Sequence, residues 1–221
     1  MAKAIKMNFK TPLSELMWVT MDGKGKLKYD PTGALDENDP QNYHFTATAR
    51  LTKDQADSIK KTLQEFWRNN KPQGATKQKY DIVKPELEKV LDDKGNEILD
   101  EDGAPVMKET GFYTMQFKTK TVWPDGKPNK VKILRANGTP IDLGETKIGN
   151  SSTGVIHGNI MINAFKGNEG LLANLQAVQL KKLVPYAEDD VDADDLGDDE
   201  GLDDVAMQQY GSLDNEDKPE V

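Results

Sequence analysis

The sequence predicts a mainly β domain with a single amphipathic helix, of the barrel or α+β class. Strand signals recur along the first 187 residues, separated by breaks rich in glycine, proline and aspartate. Only one segment of this part has the apolar spacing of a helix. From residue 188 onward, apolar residues are scattered among acidic ones with neither the period of a helix nor that of a strand. We therefore expect one folded domain, residues 1–187, and a disordered acidic tail, residues 188–221.

The charge of the chain changes sign at the same boundary. Residues 188–221 contain 15 acidic residues and one lysine, a net charge of −14, whereas the whole chain carries −9. Residues 1–187 hold 28 basic and 23 acidic residues, which leaves this part at +5. A basic body joined to a strongly acidic tail indicates a surface that binds a polyanion and carries its own polyanionic competitor.

Composition limits the class of protein further. The length of 221 residues suits one sizeable domain with a tail, and the absence of cysteine excludes disulfides and thiolate metal sites. No apolar run approaches the ~20 residues that span a bilayer, and the N-terminus lacks the apolar stretch of a signal peptide. We expect a soluble protein of the cytoplasm.

The first third of the chain reads as strands separated by polar loops. Short strands are predicted at residues 4–9 and 13–21, before a loop at 24–41. The strand at Tyr43–Leu51 is clearer, because apolar and polar side chains alternate throughout it, as in a half-buried strand. Trp18, in the second of these strands, is expected in the core.

A helix is predicted directly after this strand. Thr52 and Gln55 have the spacing of a capping box. Apolar side chains then recur at intervals of three or four residues, at Ala56, Ile59, Leu63, Phe66 and Trp67. The helix should end near Asn70, before Pro72, and Trp67 should lie in the core.

The next segment, residues 81–109, contains ten acidic and four basic residues, with turn signals at 93–96 and 102–103. This composition is typical of hairpins on a domain surface. We expect this insertion to face water, away from any bound nucleic acid.

Strand signals return at residues 111–122, 130–135, 153–165 and 172–184. In the first of these strands apolar and polar side chains alternate, which predicts a sheet with an apolar side and a basic side. Its polar positions are Thr114, Gln116, Lys118 and Lys120. Basic character concentrates in residues 112–187, which hold ten Lys or Arg and four Asp or Glu.

The motifs of several enzyme classes are missing from the sequence. His44 and His157 lie in different predicted strands without a motif around either, so each is interpreted as a strand residue that faces solvent or a polar neighbour. No glycine-rich phosphate-binding loop is present. Residues 92–102 partly match a calcium loop, but Lys94 and Gly95 interrupt its oxygen ligands. We expect neither catalysis nor a bound metal or cofactor.

Lysines and aromatic side chains are interleaved in the second half of the chain. This combination is typical of single-stranded nucleic-acid binding, because cations follow the phosphates while flat rings stack on bases without reading them. The candidate contact residues are Tyr113, Phe117, Lys118, Lys120, Trp123, Lys127, Lys130, Lys132, Arg135, Phe165 and Lys166.

Two of the aromatic candidates lie where strands enter turns. Trp123 begins Trp-Pro-Asp-Gly, where a large ring is hard to bury, and Phe165 lies at a similar turn. These positions favour stacking on bases. The alternative is that Tyr113 and Phe117 belong to the core, that Phe165 closes the end of a barrel and that the lysines form a solvated face.

The order of these elements resembles that of the single-stranded DNA-binding proteins of tailed bacteriophages, over most of the chain. The resemblance is carried by the Phe117-Lys118 strand, the Val131-Lys132-Ile133 strand, the loop with Pro140-Ile141 and residues 148–152, the strand at 153–166 that ends in an aromatic-lysine pair, and residues 175–183 that run into the acids. It implies a single oligonucleotide/oligosaccharide-binding (OB) fold, a five-stranded Greek-key barrel.

The resemblance also implies a function. Such proteins coat and protect single-stranded DNA in replication and recombination, while their acidic tails contact replication enzymes and compete with DNA for the groove. The groove residues implied by position are Phe165 and Lys166, supported by Lys118, Lys120, Lys130 and Lys132. Many such tails end in an aromatic residue, whereas this one ends in Val221 and carries its aromatic residue at Tyr210.

The sequence thus predicts a non-enzymatic protein that binds single-stranded DNA without sequence preference, in the host cytoplasm if a phage encodes it. Replication and recombination proteins are the candidate partners of the tail, and a homo-oligomer or a cooperative filament on DNA is left open. The leading alternative is an acidic interaction protein, such as a DNA mimic or an assembly factor, that binds basic partners. A nuclease comes third, with no recognisable group of carboxylates to support it.

Overall fold

The fold is that of a computed structural model, which describes residues 5–29, 32–72, 81–165 and 168–187, with backbone alone at 163–165 and 168–169. In chain order the elements are β1 (Lys6–Lys10), β2 (Ser14–Thr20), β3 (Lys26–Leu27), β4 (Tyr43–Leu51), α1 (Lys53–Asn70), β5 (Val83–Lys89), β6 (Met107–Lys120), β7 (Lys132–Leu134), β8 (Thr153–Phe165) and β9 (Asn168–Lys182). A 3₁₀ turn, Pro40–Asn42, precedes β4. The predicted tail lies outside the described residues.

Five of the strands close into a barrel. Around the barrel the order is β2, β4, β6, β9 and β8, and β8 pairs back onto β2. The pairing of β6 with β9 is parallel, and the other pairings in this cycle are antiparallel. This closed arrangement, with one helix, confirms the predicted mainly β, OB-like class.

The remaining strands extend the barrel at its sides. β1 pairs with β8, and β3 pairs with β4. β5 pairs with β6 as the two arms of a long hairpin, and the short β7 runs parallel to β9. The outer surface of β4 and β6 is therefore flanked by β3 and β5.

The interior of the barrel is filled from alternate positions of each strand. The inward side chains of β4 and β6 that are buried include Phe45, Ala47, Ala49, Leu51, Met115 and Phe117. Phe117 packs deeply because Gly158 of β8 faces it, and a Cβ at that position would lie 2.8 Å from the Phe117 ring. The predicted strand Tyr43–Leu51 is confirmed at both ends.

The helix α1 follows its predicted bounds. The Thr52 hydroxyl accepts a hydrogen bond from the Gln55 backbone N–H, and the Gln55 side chain accepts one from the Thr52 N–H, which completes the capping box. The buried stripe of the helix consists of Ala56, Ile59, Leu63 and Trp67. No helix in the described part of the chain has the length and apolarity needed to cross a membrane.

The acidic insertion forms the β5–β6 hairpin. Residues 91–105 at its tip are all exposed, as predicted for a surface hairpin. Backbone hydrogen bonds hold the turns at this tip. Its base is different, because Val83 is fully buried against the barrel and pairs with Met115. The prediction that the whole insertion faces water is therefore wrong at the base, since strand pairing with β6 holds this part on the barrel.

Candidate nucleic-acid interface

The outward side of β4 and β6 carries most of the polar side chains of these two strands. Residues that pair directly in an antiparallel ladder project on the same side of the sheet. The outward pairs are His44 with Lys120, Thr46 with Lys118, Thr48 with Gln116, and Arg50 with Thr114. The flanking strands add Lys26 beside His44 and Lys84 beside Thr114. We call Lys26, His44, Lys84, Lys118 and Lys120 the basic face.

A cavity of about 550 Å³ lies in this surface, and we call it the outer cleft. Its polar and charged lining consists of Thr48, Asp81, Lys84, Thr114, Gln116, Lys118 and Asn174. Its apolar lining consists of Trp18, Ile82, Met161, Leu171, Leu172 and Ala173. The Asp81 carboxylate accepts a hydrogen bond from the Val83 backbone N–H at 3.0 Å. An aromatic ring, an apolar wall and two lysines therefore meet in one cleft.

Trp18 is held on the surface by an irregularity in β2. Met17 pairs with Thr48 and Thr20 pairs with Thr46, so β2 has one more residue than β4 between these pairs, which is a β-bulge. Within the bulge Trp18 has a φ of 49°. A bulky residue in the left-handed region is strained and persists only where its surroundings hold it. The Trp18 N–H donates to Asn150 Oδ1 at 2.9 Å, and its carbonyl accepts the Thr46 hydroxyl at 3.1 Å.

The bulge decides the exposure of the Trp18 ring, which is 52% exposed beside the cleft. The prediction that Trp18 lies in the core is therefore wrong. The run Leu16-Met17-Trp18-Val19 looks like a buried strand in the sequence, and nothing local in it signals the bulge. Trp67, predicted in the same way, is buried as expected.

Charge repulsion is concentrated on the basic face. Burial lowers the pKa of the Lys118 ammonium below its ordinary value, and the positive charges of Lys26 and Lys84 lower it further. The pKa of His44 is also lowered, first by burial and then by Lys118, Lys26 and Lys28. Repulsion among these cations is relieved when phosphate groups lie between them.

A second cavity of about 510 Å³ lies next to Trp18. Trp18 lines both cavities, and the second is also lined by Lys24, Lys26, Lys147 and Tyr186. The Lys147 ammonium lies 5.9 Å from the centroid of the Tyr186 ring, which is 53% exposed. The basic and aromatic surface therefore continues past Trp18.

Two of the predicted lysines, Lys118 and Lys120, lie on the basic face. Lys118 lines the outer cleft, and the Lys120 ammonium donates to Gln41 Oε1 at 3.3 Å. Sequence reasoning placed both on the polar side of their strand, and the observed alternation confirms that placement.

The predictions for Tyr113 and Phe117 need correction. Phe117 is fully buried, and its ring centroid lies 6.2 Å from that of Phe9 in β1. Tyr113 lies on the same inward side, with the Lys60 ammonium 4.6 Å from its ring centroid. These rings occupy the apolar face of β6, because strand periodicity sends them to the side opposite Lys118.

The other predicted residues lie away from the outer cleft or outside the described part of the chain. Trp123 is 49% exposed in the turn after β6, where its carbonyl accepts a hydrogen bond from the Gln41 amide. Lys127 in the same turn forms an ion pair with Asp125 at 2.9 Å. The lysines and arginine that follow this turn are Lys130, Lys132 and Arg135, none of which lines the outer cleft. The side chain of Phe165 and all of Lys166 lie outside the described residues.

Several cleft residues escaped sequence reasoning. The sequence predicts Trp18 in the core, Lys84 falls within a mainly acidic segment, and no motif surrounds Asn174. Gln116 did carry a signal, since it falls on the polar side of β6. Among the described residues, no group of three or more His, Asp or Glu side chains is placed to hold a metal ion.

No protein-family model matches the chain, and no curated protein matches its sequence. Among solved structures, the chain is similar to gp2.5, a single-stranded DNA-binding protein encoded by bacteriophage T7, with a TM-score of 0.51 and 12% identity over 89% of this chain and 98% of that one. It is also similar to the single-stranded DNA-binding protein from bacteriophage Enc34 in complex with ssDNA, with a TM-score of 0.48 and 15% identity over 82% and 88%. The likeness to gp2.5 confirms the expected resemblance at the level of the fold.

Proposed function

We propose that this chain is a non-enzymatic protein that binds and coats single-stranded DNA largely without regard to sequence. The observation that carries the proposal is the outer cleft, where the exposed Trp18 ring lies beside Lys84 and Lys118. OB barrels bind oligonucleotides on the face of their second and third strands, which are β4 and β6 here. Rings stack on bases of any identity, and lysines follow the phosphates. That gp2.5 shares the fold and is a single-stranded DNA-binding protein supports the assignment.

The bound strand would run along the basic face and across Trp18. It would meet both the outer cleft and the second cavity with Lys147 and Tyr186, because Trp18 borders the two cavities. This path offers two exposed rings in succession, each with a lysine close by. Trp18 is its centre, because it lines both cavities.

We further propose that residues 1–187 form the DNA-binding domain and that the acidic tail, residues 188–221, competes with DNA for it. Tyr186 lies in the second cavity, so the acidic segment is attached two residues from the proposed path. A tethered anion of net charge −14 acts there at a high effective concentration.

Protein partners of replication or recombination would engage the same tail when DNA displaces it. Tyr210, with Val205 and Met207, supplies apolar side chains for that contact within an otherwise acidic segment. The setting proposed for this activity is phage replication or recombination in the host cytoplasm, without a metal or cofactor.

The test is a titration of the full chain with a labelled ~30-nucleotide oligo-dT, long enough for a few sites of about 4–16 nucleotides each. We expect saturable binding whose log–log dependence on salt has a slope of about −0.7 per neutralised phosphate. A duplex of the same length should bind more weakly. Failure to bind the single strand at low salt would overturn the proposal, and shortening of the oligonucleotide in the presence of magnesium would indicate a nuclease instead.

The second candidate function is that of an acidic protein that binds basic partners. The observation in its favour is the tip of the β5–β6 hairpin, where Asp92, Asp93, Asp100 and Glu101 are all exposed. Titration with polylysine in place of DNA separates the two functions. Binding to polylysine alone supports this second function, whereas binding to oligo-dT that depends on Trp18 supports the first.

A further inference from the structure

One polar group in the outer cleft lacks a protein partner. Thr48 lies on the outward side of β4 and is only 1% exposed, yet its hydroxyl forms no hydrogen bond. Thr46, on the same strand and equally buried, donates its hydroxyl to the Trp18 carbonyl. Buried hydroxyls are nearly always paired, so the unpaired Thr48 hydroxyl at the base of a cleft points to a ligand that completes it.

The neighbours of Thr48 are suited to the edge of a nucleobase. Gln116 is its direct partner across the β4–β6 ladder, and Asn174 enters from β9 beside Lys118. Both side-chain amides line the cleft, and each offers donors and an acceptor without a hydrogen-bond partner among the described residues. Three groups that can both donate and accept therefore converge on one space.

The rest of the cleft is suited to the faces of a base and to its phosphates. Trp18 supplies an exposed ring, while Met161 and Leu172 supply an apolar wall. The volume of about 550 Å³ lies within the range of about 300–1,000 Å³ found for pockets that enclose small organic ligands. Lys84 and Lys118 line the same cleft and can hold the adjoining phosphates.

We propose that the outer cleft receives one base of the bound strand and reads its hydrogen-bonding edge through Thr48, Gln116 and Asn174. This inference rests on the proposed function and refines it, because one position of the strand becomes selective while the others stay tolerant. Stacking alone accepts every base. A base whose edge hydrogen-bonds to the Thr48 hydroxyl binds more tightly than a base that leaves it unpaired, because this hydroxyl has no partner in the free protein and gains one only from the matching base.

The test measures base preference with three labelled homopolymers of ~12 nucleotides, dT, dC and dA, near the site size of one OB fold. The wild-type chain should bind them unequally. Thr48→Val keeps the shape and branching of the side chain and removes the hydroxyl. It should lower the ratio of the strongest to the weakest affinity by about threefold to tenfold, the range expected for one neutral hydrogen bond.

Two further variants make the result decisive. Gln116→Met removes an amide from a partly exposed position and should lower the same affinity ratio. It therefore tests base reading even if Thr48→Val does not fold. Thr11→Val is the matched control, because the buried Thr11 hydroxyl accepts a hydrogen bond from the Ile156 backbone N–H at 2.9 Å and Thr11 lines neither cavity, so it should leave the ratio unchanged. Lowering of the ratio by either cleft variant, with the control unchanged, supports base reading.

The opposite outcomes separate the two proposals. Equal wild-type affinities for the three homopolymers, an unchanged ratio in both cleft variants, or an equal loss in Thr11→Val would overturn base reading and leave single-stranded DNA binding intact. Absence of binding to all three homopolymers would instead overturn the proposed function itself.

Discussion

The aromatic side chains divide by exposure into those buried in the core and those exposed on the surface. Phe117 and Trp67 are buried, whereas Trp18 and Trp123 are each about half exposed. Trp18 alone of these two lines the outer cleft, and it does so in a strained backbone conformation. Strain retained in a folded protein often marks a functional position. This contrast makes Trp18 the residue on which the proposed function depends most.

We expect Trp18→Ala to weaken oligo-dT binding by about 5- to 150-fold, which corresponds to about 1–3 kcal/mol for one stacked base. Trp18→Phe should retain much of the affinity because it keeps a ring. Trp123→Ala is the matched control, with similar exposure outside the cleft, and should have a smaller effect. Fluorescence anisotropy titrations measure all three; a larger loss in Trp123→Ala would move the stacking site to the turn after β6.

His44 should make DNA binding dependent on pH. Burial and the neighbouring lysines hold its pKa below the ordinary value in the free protein, so it is neutral at pH 7. Phosphates on the basic face favour the charged imidazolium and raise this pKa, so binding takes up a proton. Affinity should therefore rise as the pH falls from about 8 to about 5.5.

His44→Gln should remove part of this rise, as measured by oligo-dT titrations at constant ionic strength. His157→Gln is the control, because His157 lies in β8 and its ring hydrogen-bonds to Gln179. If the His44→Gln variant keeps the full pH dependence, another group on the protein takes up the proton.

At the scale of an element, strand periodicity places the core residues and the cleft residues of β6 on opposite sides of the strand. Phe117 and Lys118 are adjacent in sequence and project to opposite sides of the strand. One side faces the interior of the barrel and the other faces the cleft. Substitutions at neighbouring positions should consequently have unrelated effects.

We expect Phe117→Ala to lower the free energy of unfolding by about 3–5 kcal/mol, because it leaves a cavity in the core. Lys118→Ala should change stability by less than about 0.5 kcal/mol, yet reduce the salt slope of binding by about 0.7, for one phosphate contact. Urea unfolding and salt titrations measure the two quantities. A stable Phe117→Ala variant that no longer binds DNA would restore the stacking role that sequence reasoning gave to Phe117.

The cap of α1 should contribute to stability without affecting binding. Thr52→Ala removes the hydroxyl of the capping box and should cost about 1 kcal/mol, within a range of about 0.5–2 kcal/mol. Thr62→Ala is the control, since Thr62 is exposed in the middle of the same helix. Urea unfolding should separate the two variants, while their affinities for oligo-dT should equal that of the wild type. Equal stability of the two variants would argue against the cap.

At the scale of the whole molecule, residues 1–187 carry a net charge of +5 and residues 188–221 carry −14. Tyr186, two residues before the acidic segment, lines the second cavity. In the proposed function the body binds a polyanion, and the tail competes with DNA for the same surface. Salt screens the attraction between body and tail, so competition by the tail should be strongest at low ionic strength.

We expect removal of residues 188–221 to tighten oligo-dT binding at low salt, and the difference from the full chain to shrink as salt increases. A full-length variant with the tail's Asp and Glu replaced by Asn and Gln should behave like the truncated one, because length is kept and charge is removed. Unchanged affinity at low salt in both variants would refute competition by the tail.

Much of the local structure was determined by the sequence itself. The alternation in Tyr43–Leu51 and the Thr52–Gln55 capping box predicted a strand and a helix start that the structure confirms. These features depend on neighbours within a few residues, so they can be recognised in a linear chain. The charge contrast between body and tail is likewise a property of composition. The polar side of β6, with Lys118 and Lys120, was predictable for the same reason.

Only the tertiary structure decided which side chains share the outer cleft. Trp18, Lys84 and Lys118 come from β2, β5 and β6. They meet because β4 pairs with both β2 and β6, and β5 pairs with β6. Strand pairing depends on contacts between residues distant in sequence, which no local pattern specifies. The bulge that exposes Trp18 arises in the same way, from a mismatch in register between β2 and β4.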